Sequence, residues 1–271
     1  MLVNKTVKLN DGNLMPTIAL GVFLSHEDTY DAVKWALEAG YRHIDTAAAY
    51  HNEEAVGQAI KDSGIPRENL FVTTKLWNED VRQGRTREAL MESLKRLQMD
   101  YVDLYLMHWP VEGRIEAYQV MEQLQKEGYV RSIGVSNFRV HHLEELMANT
   151  HVTPAVDQME LNPQFIDEEL LDYAKEHEIV LEAWSPLGRG AYINDPVIVG
   201  IAERYNHTSV QVILRWLLQK GIVVLPKSVH KERIIANKNV YDFELSDDDM
   251  ALMDGLNRHQ RMGPDPDHFD F

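Results

Sequence analysis

The stretch GYRHIDTAAAYHNEEAVGQAI, residues 40–60, contains a change from strand to helix around which the rest of the chain is arranged. Residues 42–45 are bulky, follow a glycine and precede small alanines, which predicts a buried strand. Asn52 is then a predicted helix N-cap, because apolar residues recur at helical spacing over residues 55–60. A carboxylate at the end of a buried strand is costly to keep ionised without a cation nearby, so Asp45 predicts a basic partner.

Strand-like and helix-like segments alternate on both sides of this stretch, eight times in all. The predicted strands are residues 18–22, 42–45, 70–75, 102–107, 130–135, 155–160, 180–184 and 222–225. Short apolar strands separated by helices predict a parallel sheet covered on both faces, and eight such units favour a closed barrel. Asp11-Gly12 predicts a hairpin before the first unit, and residues 196–205 an extra helix. The predicted fold class is therefore α/β: a (β/α)8 TIM barrel with an N-terminal β-hairpin and extra helices.

A doubly wound dinucleotide-binding fold is the alternative α/β layout. It would carry GxGxxG after its first strand, but residues 18–26 read IALGVFLSH, and the chain has no GxxxxGK[ST]. No linker or low-complexity tract divides the chain, which predicts a single domain over residues 1–271. The final residues, GPDPDHFDF, are expected to form an irregular tail, either disordered or folded over a rim of the barrel.

The composition excludes several classes of protein. The 271 residues include no cysteine, which excludes disulfides, thiolate metal sites and thiol nucleophiles. Lys and Arg number 27 against 43 Asp and Glu, and a net charge of -16 makes nucleic acid an unfavourable partner. No apolar run approaches the roughly 20 residues of a membrane span, and the N-terminus does not resemble a secretory leader. We therefore expect a cytoplasmic protein that binds no membrane, and, without a long apolar surface stripe, a monomer.

Polar side chains end the predicted strands at the edge where barrels of this type place their active sites. Asp45, Lys75 and His108 end consecutive strands, and the loop after Asp45 can carry Tyr50 back over them. A free phenol titrates at about 10, but a nearby ammonium favours the phenolate, so Lys75 is expected to lower the pKa of Tyr50. Asp45 would keep Lys75 charged, and His108 would orient a substrate oxygen. With neither a Cys nucleophile nor a Ser-His-Asp order, the expected partner of this proton donor is a hydride from a nicotinamide.

Each of these residues also has a simpler interpretation. Asp45 and Lys75 alone could form a structural ion pair, but Tyr50 and His108 at matching positions favour catalysis. A metal-dependent hydrolase built on His43, Asp45 and His108 would lack the HxH pair that such a site needs on the first strand. The pair His141-His142 suggests a metal ligand set, but adjacent helix residues face different directions and no third ligand is in register. No metal is therefore expected.

Beyond these residues, the chain resembles the aldo-keto reductase family over nearly its whole length. GYRHIDTAAAYHNEEAVG, VRSIGVSNF and LPKSVHKERIIANKNV are similar to the three signatures of the family, and TTKLW and LMHWP to its Lys and His strand ends. The resemblance implies a catalytic tetrad of Asp45, Tyr50, Lys75 and His108. Tyr50 would be the acid in carbonyl reduction and the base in the reverse direction.

The resemblance also implies NADPH as the cofactor. The implied contacts are Ser136, Asn137 and Gln158 for the carboxamide, Trp184 for the ring, Ser185, Leu187 and Gly188 for the pyrophosphate, and Lys227, Ser228, Val229, Arg233 and Asn237 for the adenosine end. The basic segment KSVHKER, residues 227–233, suits the dianionic 2′-phosphate in so acidic a chain, which predicts NADPH over NADH. The segment AVDQMELNP departs from the family at Asp157 and Asn162, and Asp157 is expected to add a negative charge beside the carboxamide.

The positions that match the family's substrate cavity are Phe23, Tyr50, Trp77, His108 and Trp109. Because the tail is shorter than in vertebrate relatives, we expect an open cavity. The short form ending in GPDPDHF is most similar to microbial 2,5-diketo-gluconate and glyoxal or methylglyoxal reductases. The expected activity is NADPH-dependent reduction of small aldehydes, α-dicarbonyls or keto-sugars, and the alternative is a non-catalytic NADPH-binding sensor or regulatory protein.

Overall fold

The computed structural model describes residues 5–271, and the first elements of this range form a β-hairpin. Strands β1 (Thr6–Lys8) and β2 (Leu14–Pro16) pair antiparallel across the predicted turn. Leu9 and Met15 are buried in one apolar cluster with inward-facing side chains from four barrel strands. The hairpin therefore plugs one end of the barrel with apolar side chains, and the predicted hairpin is confirmed.

Eight parallel strands form the barrel, and each pairs with the next in sequence. They are β3 (Leu20–Gly21), β4 (His43–Asp45), β5 (Phe71–Leu76), β6 (Val102–Met107), β7 (Val130–Ser136), β8 (Val156–Glu160), β9 (Val180–Trp184) and β10 (Val223–Val224). A parallel bridge between Ile18 and Val224 joins the first strand to the last, and the Ala19 N–H donates to the Val224 carbonyl at 2.9 Å. The sheet is closed, and the predicted (β/α)8 barrel is confirmed.

Helices cover the outside of this barrel. They are α1 (Thr29–Glu38), α2 (Glu53–Asp62), α3 (Asn78–Arg82), α4 (Thr86–Leu97), α5 (Arg114–Lys126), α6 (Val140–Asn149), α7 (Glu168–Glu176), α8 (Pro196–Tyr205), α9 (Ser209–Gln219), α10 (Lys231–Asn237) and α11 (Asp247–Asp254). Helix α8 lies where the extra helix was predicted, whereas α3 and α11 were not predicted. Across residues 5–271, no helix combines the length and apolarity that crossing a membrane requires.

The loop between β4 and α2 is held by Asn52, which lies at the N-cap position of α2 as predicted but does not cap the helix with its side chain. Its Oδ1 accepts from the Thr46 hydroxyl at 2.7 Å, and its Nδ2 donates to the Val22 carbonyl at 2.9 Å. The buried amide therefore ties the loop to the ends of two strands. This loop carries Tyr50 on a single 3-10 turn.

Candidate active site

Lys75 is the centre of a buried polar group at the mouth of the barrel. Its Nζ lies 2.7 Å from Asp45 Oδ1, 3.0 Å from the Thr46 carbonyl oxygen and 3.4 Å from Tyr50 Oη. An ammonium has three hydrogens, so each of its donors has an acceptor. Lys75 is 0% and Asp45 3% exposed, and an ion pair this deep persists only where its hydrogen-bonding groups are satisfied. The predicted basic partner of Asp45 is thus Lys75.

Burial and charge act in opposite directions on this group. Desolvation alone would lower the pKa of Lys75, but the nearby Asp45 and Tyr50 outweigh it, so the pKa is raised and the amine stays charged. Burial raises the pKa of Tyr50, and Lys75 opposes this shift without cancelling it. Lys75 thus acts on the Tyr50 pKa in the predicted direction, but the loss of hydration outweighs it and the pKa is raised overall. Tyr50 is held as the protonated phenol, the form that can donate a proton.

His108 completes the group as a neutral imidazole. Burial, with a smaller contribution from Lys75, lowers its pKa well below the ordinary value. Its ring lies edge-on to Tyr50 and to Trp77, with centroids 5.7 and 5.2 Å away. Within residues 5–271 its buried Nδ1 has no hydrogen-bond partner. A neutral imidazole beside the phenol can donate a hydrogen bond to a substrate oxygen without adding charge.

A cavity of about 1680 Å³ opens above this group. The predicted site residues that line it are Phe23, Asp45, Tyr50, Trp77, His108, Trp109, Ser136, Asn137, Gln158, Trp184, Ser185, Leu187, Lys227, Ser228, Val229, Arg233 and Asn237. Two predicted residues do not line it. Lys75 lies beneath the cavity floor, and Gly188, at φ 52°, leaves no room for a Cβ against the Tyr192 ring. Gly188 therefore permits close packing of the loop.

At the end of the cavity that is predicted to hold the nicotinamide, side chains hydrogen-bond to one another. The Trp184 Nε1 donates to Asn137 Oδ1 at 2.9 Å, which fixes the plane of the indole. Asn137 Nδ2 donates to Ser136 Oγ and to the His108 carbonyl, and the Ser136 hydroxyl donates to the Gln158 carbonyl. The side-chain Nε2 of Gln158 points into the barrel, so its amide oxygen faces the cavity. An oriented aromatic face beside an amide acceptor fits a nicotinamide carboxamide.

The opposite end of the cavity is basic. Lys227 follows β10, and Arg233 lies in the first turn of α10. Both are exposed, and among the described residues neither has a carboxylate within ion-pair distance, although the chain has 43 acidic residues. Unpaired cations in so acidic a protein fit an anionic phosphate. Arg189, at φ 54° between two glycines of the neighbouring loop, adds a third cation to the lining.

The tail forms one wall of the cavity, beside the residues predicted to contact the substrate. The Phe271 ring lies parallel to Trp77 at 6.0 Å and edge-on to Trp109 at 5.1 Å. Asn78 and Arg82 donate to its main-chain oxygen. The irregular tail thus folds over the rim, which is one of its two predicted paths, and Phe271 covers part of this side of the cavity.

A second tail contact corrects the interpretation of His141-His142. The Nε2 atoms of these histidines lie 3.0 and 3.4 Å from Asp267 Oδ1, so a third potential ligand is present after all. Arg139 also pairs with Asp267, and the Arg139 N–H donates to His142 Nδ1. A neutral His142 that accepts at Nδ1 carries its hydrogen on Nε2, which leaves no lone pair there for a metal. The cluster anchors the tail by hydrogen bonds and ion pairs.

The hypothetical hydrolase site also fails on the chemistry of its donors. His43 Nδ1 faces the Pro16 carbonyl at 3.3 Å, and Nε2 faces the Thr73 hydroxyl at 3.0 Å. Both ring nitrogens are therefore engaged, and Asp45 is held by Lys75. Among the described residues, the ligand atoms of His43, Asp45 and His108 do not come together as a metal set.

The two departures from the family pattern lie away from the cofactor side. Asp157 faces outward, opposite to its neighbour Gln158, and its Oδ1 lies 3.5 Å from the Phe138 N–H. Complete burial raises its pKa well above the ordinary value, so it is neutral. The predicted negative charge beside the carboxamide is therefore wrong. Asn162 donates to Glu160, whose carboxylate also accepts from the main chain of residues 262–263.

Sequence reasoning missed three residues of the site. Phe271 and Arg189 line the cavity, and Glu182 on β9 lies fully buried near Asp45. The signals were present: an aromatic at the tail, a cation in the GRG loop, and an acid inside the predicted strand VLEAW. An acid inside a predicted strand is costly to bury unless it has a partner, so Glu182 could have been found in the same way as Asp45.

The comparisons with known proteins all point to one family. Residues 17–258 match the profile described as "Aldo/keto reductase family". The chain is 49% identical to the glyoxal reductase of Bacillus subtilis, over 98% of both proteins, and 49% identical to methylglyoxal reductase DkgA of Escherichia coli K12, over 99% of both. Among solved structures, an aldo-keto reductase from a deep-sea metagenome library superposes with a TM-score of 0.95 at 46% identity, covering 98% of this chain and 100% of that one. The Bombyx mori aldo-keto reductase in complex with NADP gives a TM-score of 0.92 at 36% identity, covering 98% and 97%.

Proposed function

This chain belongs to the aldo/keto reductase family and reduces carbonyl compounds with NADPH, and on that premise we propose that it acts on small α-oxoaldehydes with Tyr50 as the acid. The observation that carries the proposal is the 3.4 Å contact between Lys75 Nζ and Tyr50 Oη beneath a cavity with aromatic walls. Two relatives at 49% identity are named for the reduction of glyoxal and methylglyoxal, which supports this substrate class. Other small aldehydes and keto-sugars remain within the proposed range.

The proposed mechanism assigns one proton to Tyr50. When bound, the reduced nicotinamide supplies a hydride to the carbonyl carbon. Tyr50 Oη gives its proton to the carbonyl oxygen, and Lys75 stabilises the phenolate that remains. Asp45 holds Lys75 charged throughout, and neutral His108 donates a hydrogen bond that orients the substrate oxygen. In the reverse direction the phenolate is the base.

The cofactor contacts are part of the same proposal. Trp184 and Gln158 would hold the nicotinamide, the loop at residues 185–188 the pyrophosphate, and Lys227 with Arg233 the 2′-phosphate. Every residue of the proposed site comes from one chain, so a monomer is competent for the reaction. The protein is proposed to work as a cytoplasmic monomer.

A single substitution tests the enzyme claim. Purified protein should oxidise NADPH with glyoxal, methylglyoxal or phenylglyoxal, and Tyr50→Phe should lower kcat by about 10²–10⁴-fold, the usual contribution of a general acid. NADPH binding, followed by tryptophan fluorescence, should be nearly unchanged. The matched control is Tyr129→Phe, because that tyrosine is exposed and does not line the cavity. NADPH binding without turnover of any carbonyl would instead favour the sensor alternative.

A further inference from the structure

The barrel interior beneath the tetrad contains a second carboxyl group that the mechanism above does not use. Glu182 on β9 is 0% exposed, and its Oε2 accepts from Gln158 Nε2 at 2.8 Å. The same nitrogen donates to Asp45 Oδ2, also at 2.8 Å. One amide group therefore links two carboxyl groups. The other oxygen of Glu182, Oε1, is buried and has no hydrogen-bond partner within residues 5–271.

The groups that face Glu182 offer it no cation of its own. From β4 come Asp45 and His43, whose Nε2 lies 3.8 Å from Oε1. His43 is neutral, because burial lowers its pKa from 6.5 to about 3. The only cation that acts on Glu182 from β5 is Lys75, which is already paired with Asp45. Gln158 on β8 is neutral, and Val223, the register partner on β10, is apolar. One buried positive charge thus serves two carboxyl groups.

Because one buried ammonium faces two carboxyl groups, Glu182 ionises at a higher pH than an ordinary glutamate. Burial and the nearby Asp45 raise its pKa from 4.5 to about 8, so it holds a proton at neutral pH. Its ionisation acts back on the tetrad, because a negative charge at Glu182 raises the pKa of both Tyr50 and Lys75. The phenolate is therefore harder to form once Glu182 has lost its proton.

We propose that Glu182 is a positioning residue for the reaction: it holds the Gln158 amide in place, and its charge determines how firmly Tyr50 keeps its proton. The proposal rests on the assigned role of Tyr50 as the acid. At alkaline pH, ionised Glu182 keeps the phenol protonated, which favours carbonyl reduction over alcohol oxidation.

Glu182→Gln separates the two parts of this role, because glutamine can still accept from Gln158 but never ionises. Between pH 9 and 10, the phenolate absorbance assigned to Tyr50, taken as the difference from a Tyr50→Phe background, should be about three- to tenfold larger in Glu182→Gln. Alcohol oxidation in that range should rise by a similar factor. NADPH affinity should stay unchanged in Glu182→Gln but weaken about fivefold in Glu182→Leu, which removes the acceptor for Gln158.

The matched control is Asp157→Asn, which replaces another fully buried acid with a raised pKa by a group that cannot ionise, on the outward face of the neighbouring strand β8. It should leave the Tyr50 phenolate unchanged. A folded Glu182→Gln protein whose phenolate fraction matches that control would overturn the proposal. A larger phenolate fraction without any carbonyl turnover would support the coupling and reject the enzymatic function instead.

A second measurement uses the wild-type protein and so does not depend on the variant folding. With ¹³C at the glutamate side-chain carboxyls, one buried resonance should titrate at about 8. If every glutamate titrates at ordinary values, the proposal is wrong.

Discussion

His43 links the stability of the barrel to pH at the scale of a single residue. Its pKa is 6.5 when unfolded and about 3 when folded, because burial disfavours the imidazolium. Between these values the unfolded chain binds the extra proton, so stability present above pH 6.5 is lost as the pH falls toward 3. By the time the pH has fallen to about 3, we expect protonation of His43 in the unfolded chain to have lowered the free energy of unfolding by about 3–5 kcal/mol.

Urea unfolding at a series of pH values between 7 and 4 measures the effect. The acid loss should be smaller in His43→Gln, which cannot titrate in that range, than in wild type. His151→Asn is the control, because that histidine is exposed and should leave the pH dependence unchanged. An acid loss of equal size in all three proteins would contradict the assignment.

Single residues were predictable from sequence where burial alone demanded a partner. Asp45 required a cation, and Lys75 supplies it at 2.7 Å. The direction of the Tyr50 pKa was not predictable, because it depends on how far hydration loss outweighs one ammonium. Glu182 was missed, and Asp157 was wrongly expected beside the carboxamide, for another reason. Both faces of a barrel strand are buried, so the alternation of residues along the strand does not reveal which side chains point inward.

At the scale of elements, α2 and α4 pack closely because Gly57 has no side chain. A Cβ at this position would overlap the main-chain oxygen of Leu97 on the facing helix. A main-chain atom within a packed helix cannot shift without moving the helix. Gly57→Ala should therefore lower the free energy of unfolding by about 1–3 kcal/mol.

Gly200 in α8 is the matched control, since a Cβ there would meet nothing within 4 Å. Gly200→Ala should raise the free energy of unfolding by about 0.5–1 kcal/mol, because glycine is a poor residue in a helix interior. Urea unfolding of both variants measures whether each substitution lowers or raises the free energy of unfolding. A loss in both would mean that close packing is not the reason for Gly57.

The tail makes a separate prediction about substrates. Phe271→Ala removes the ring that lies against Trp77 and Trp109, so KM for phenylglyoxal should rise about three- to tenfold through lost apolar contact. NADPH affinity should not change, because the ring lies beside the residues proposed to contact the substrate. Steady-state kinetics test this, with Leu252→Ala as a control at an exposed apolar residue of α11. An unchanged KM in Phe271→Ala would reject the tail as a wall.

Elements were predictable where their apolar spacing was regular. Helix α8 lies at residues 196–205, as the unusually long gap before β10 predicted. Helix α11 was missed because its first turn is DDD, a capping and charge signal without an apolar stripe. The path of the tail was not predictable either, because ion pairs with residues far away in the sequence determine it.

At the scale of the whole molecule, charge separates the proposed cofactor site from its surroundings. The protein has a net charge of -16, yet within residues 5–271 neither Lys227 nor Arg233, at one end of the cavity, has a carboxylate within ion-pair distance. Arg233→Ala should raise KM for NADPH about 10–100-fold, the usual loss for a hydrogen bond to a charged group, and change KM for NADH little.

Kinetics with both cofactors measure this preference. Arg87→Ala is the control, because it removes an arginine that pairs with Glu127 on the outer surface. It should leave both KM values unchanged. If Arg233→Ala raised KM for NADPH and for NADH by the same factor, the arginine would instead contact a part of the molecule that both cofactors have.

The N-terminal hairpin closes one end of the barrel and leaves the cavity at the other end as its opening. Because Leu9 and Met15 fill the far end of the barrel with apolar side chains, we expect water and protons to exchange with the buried charges mainly through the mouth, where the cofactor and the carbonyl are proposed to bind. If both ligands fill that mouth, the proton that Tyr50 gives away is expected to be on the phenol before they bind, and to be replaced after the product leaves.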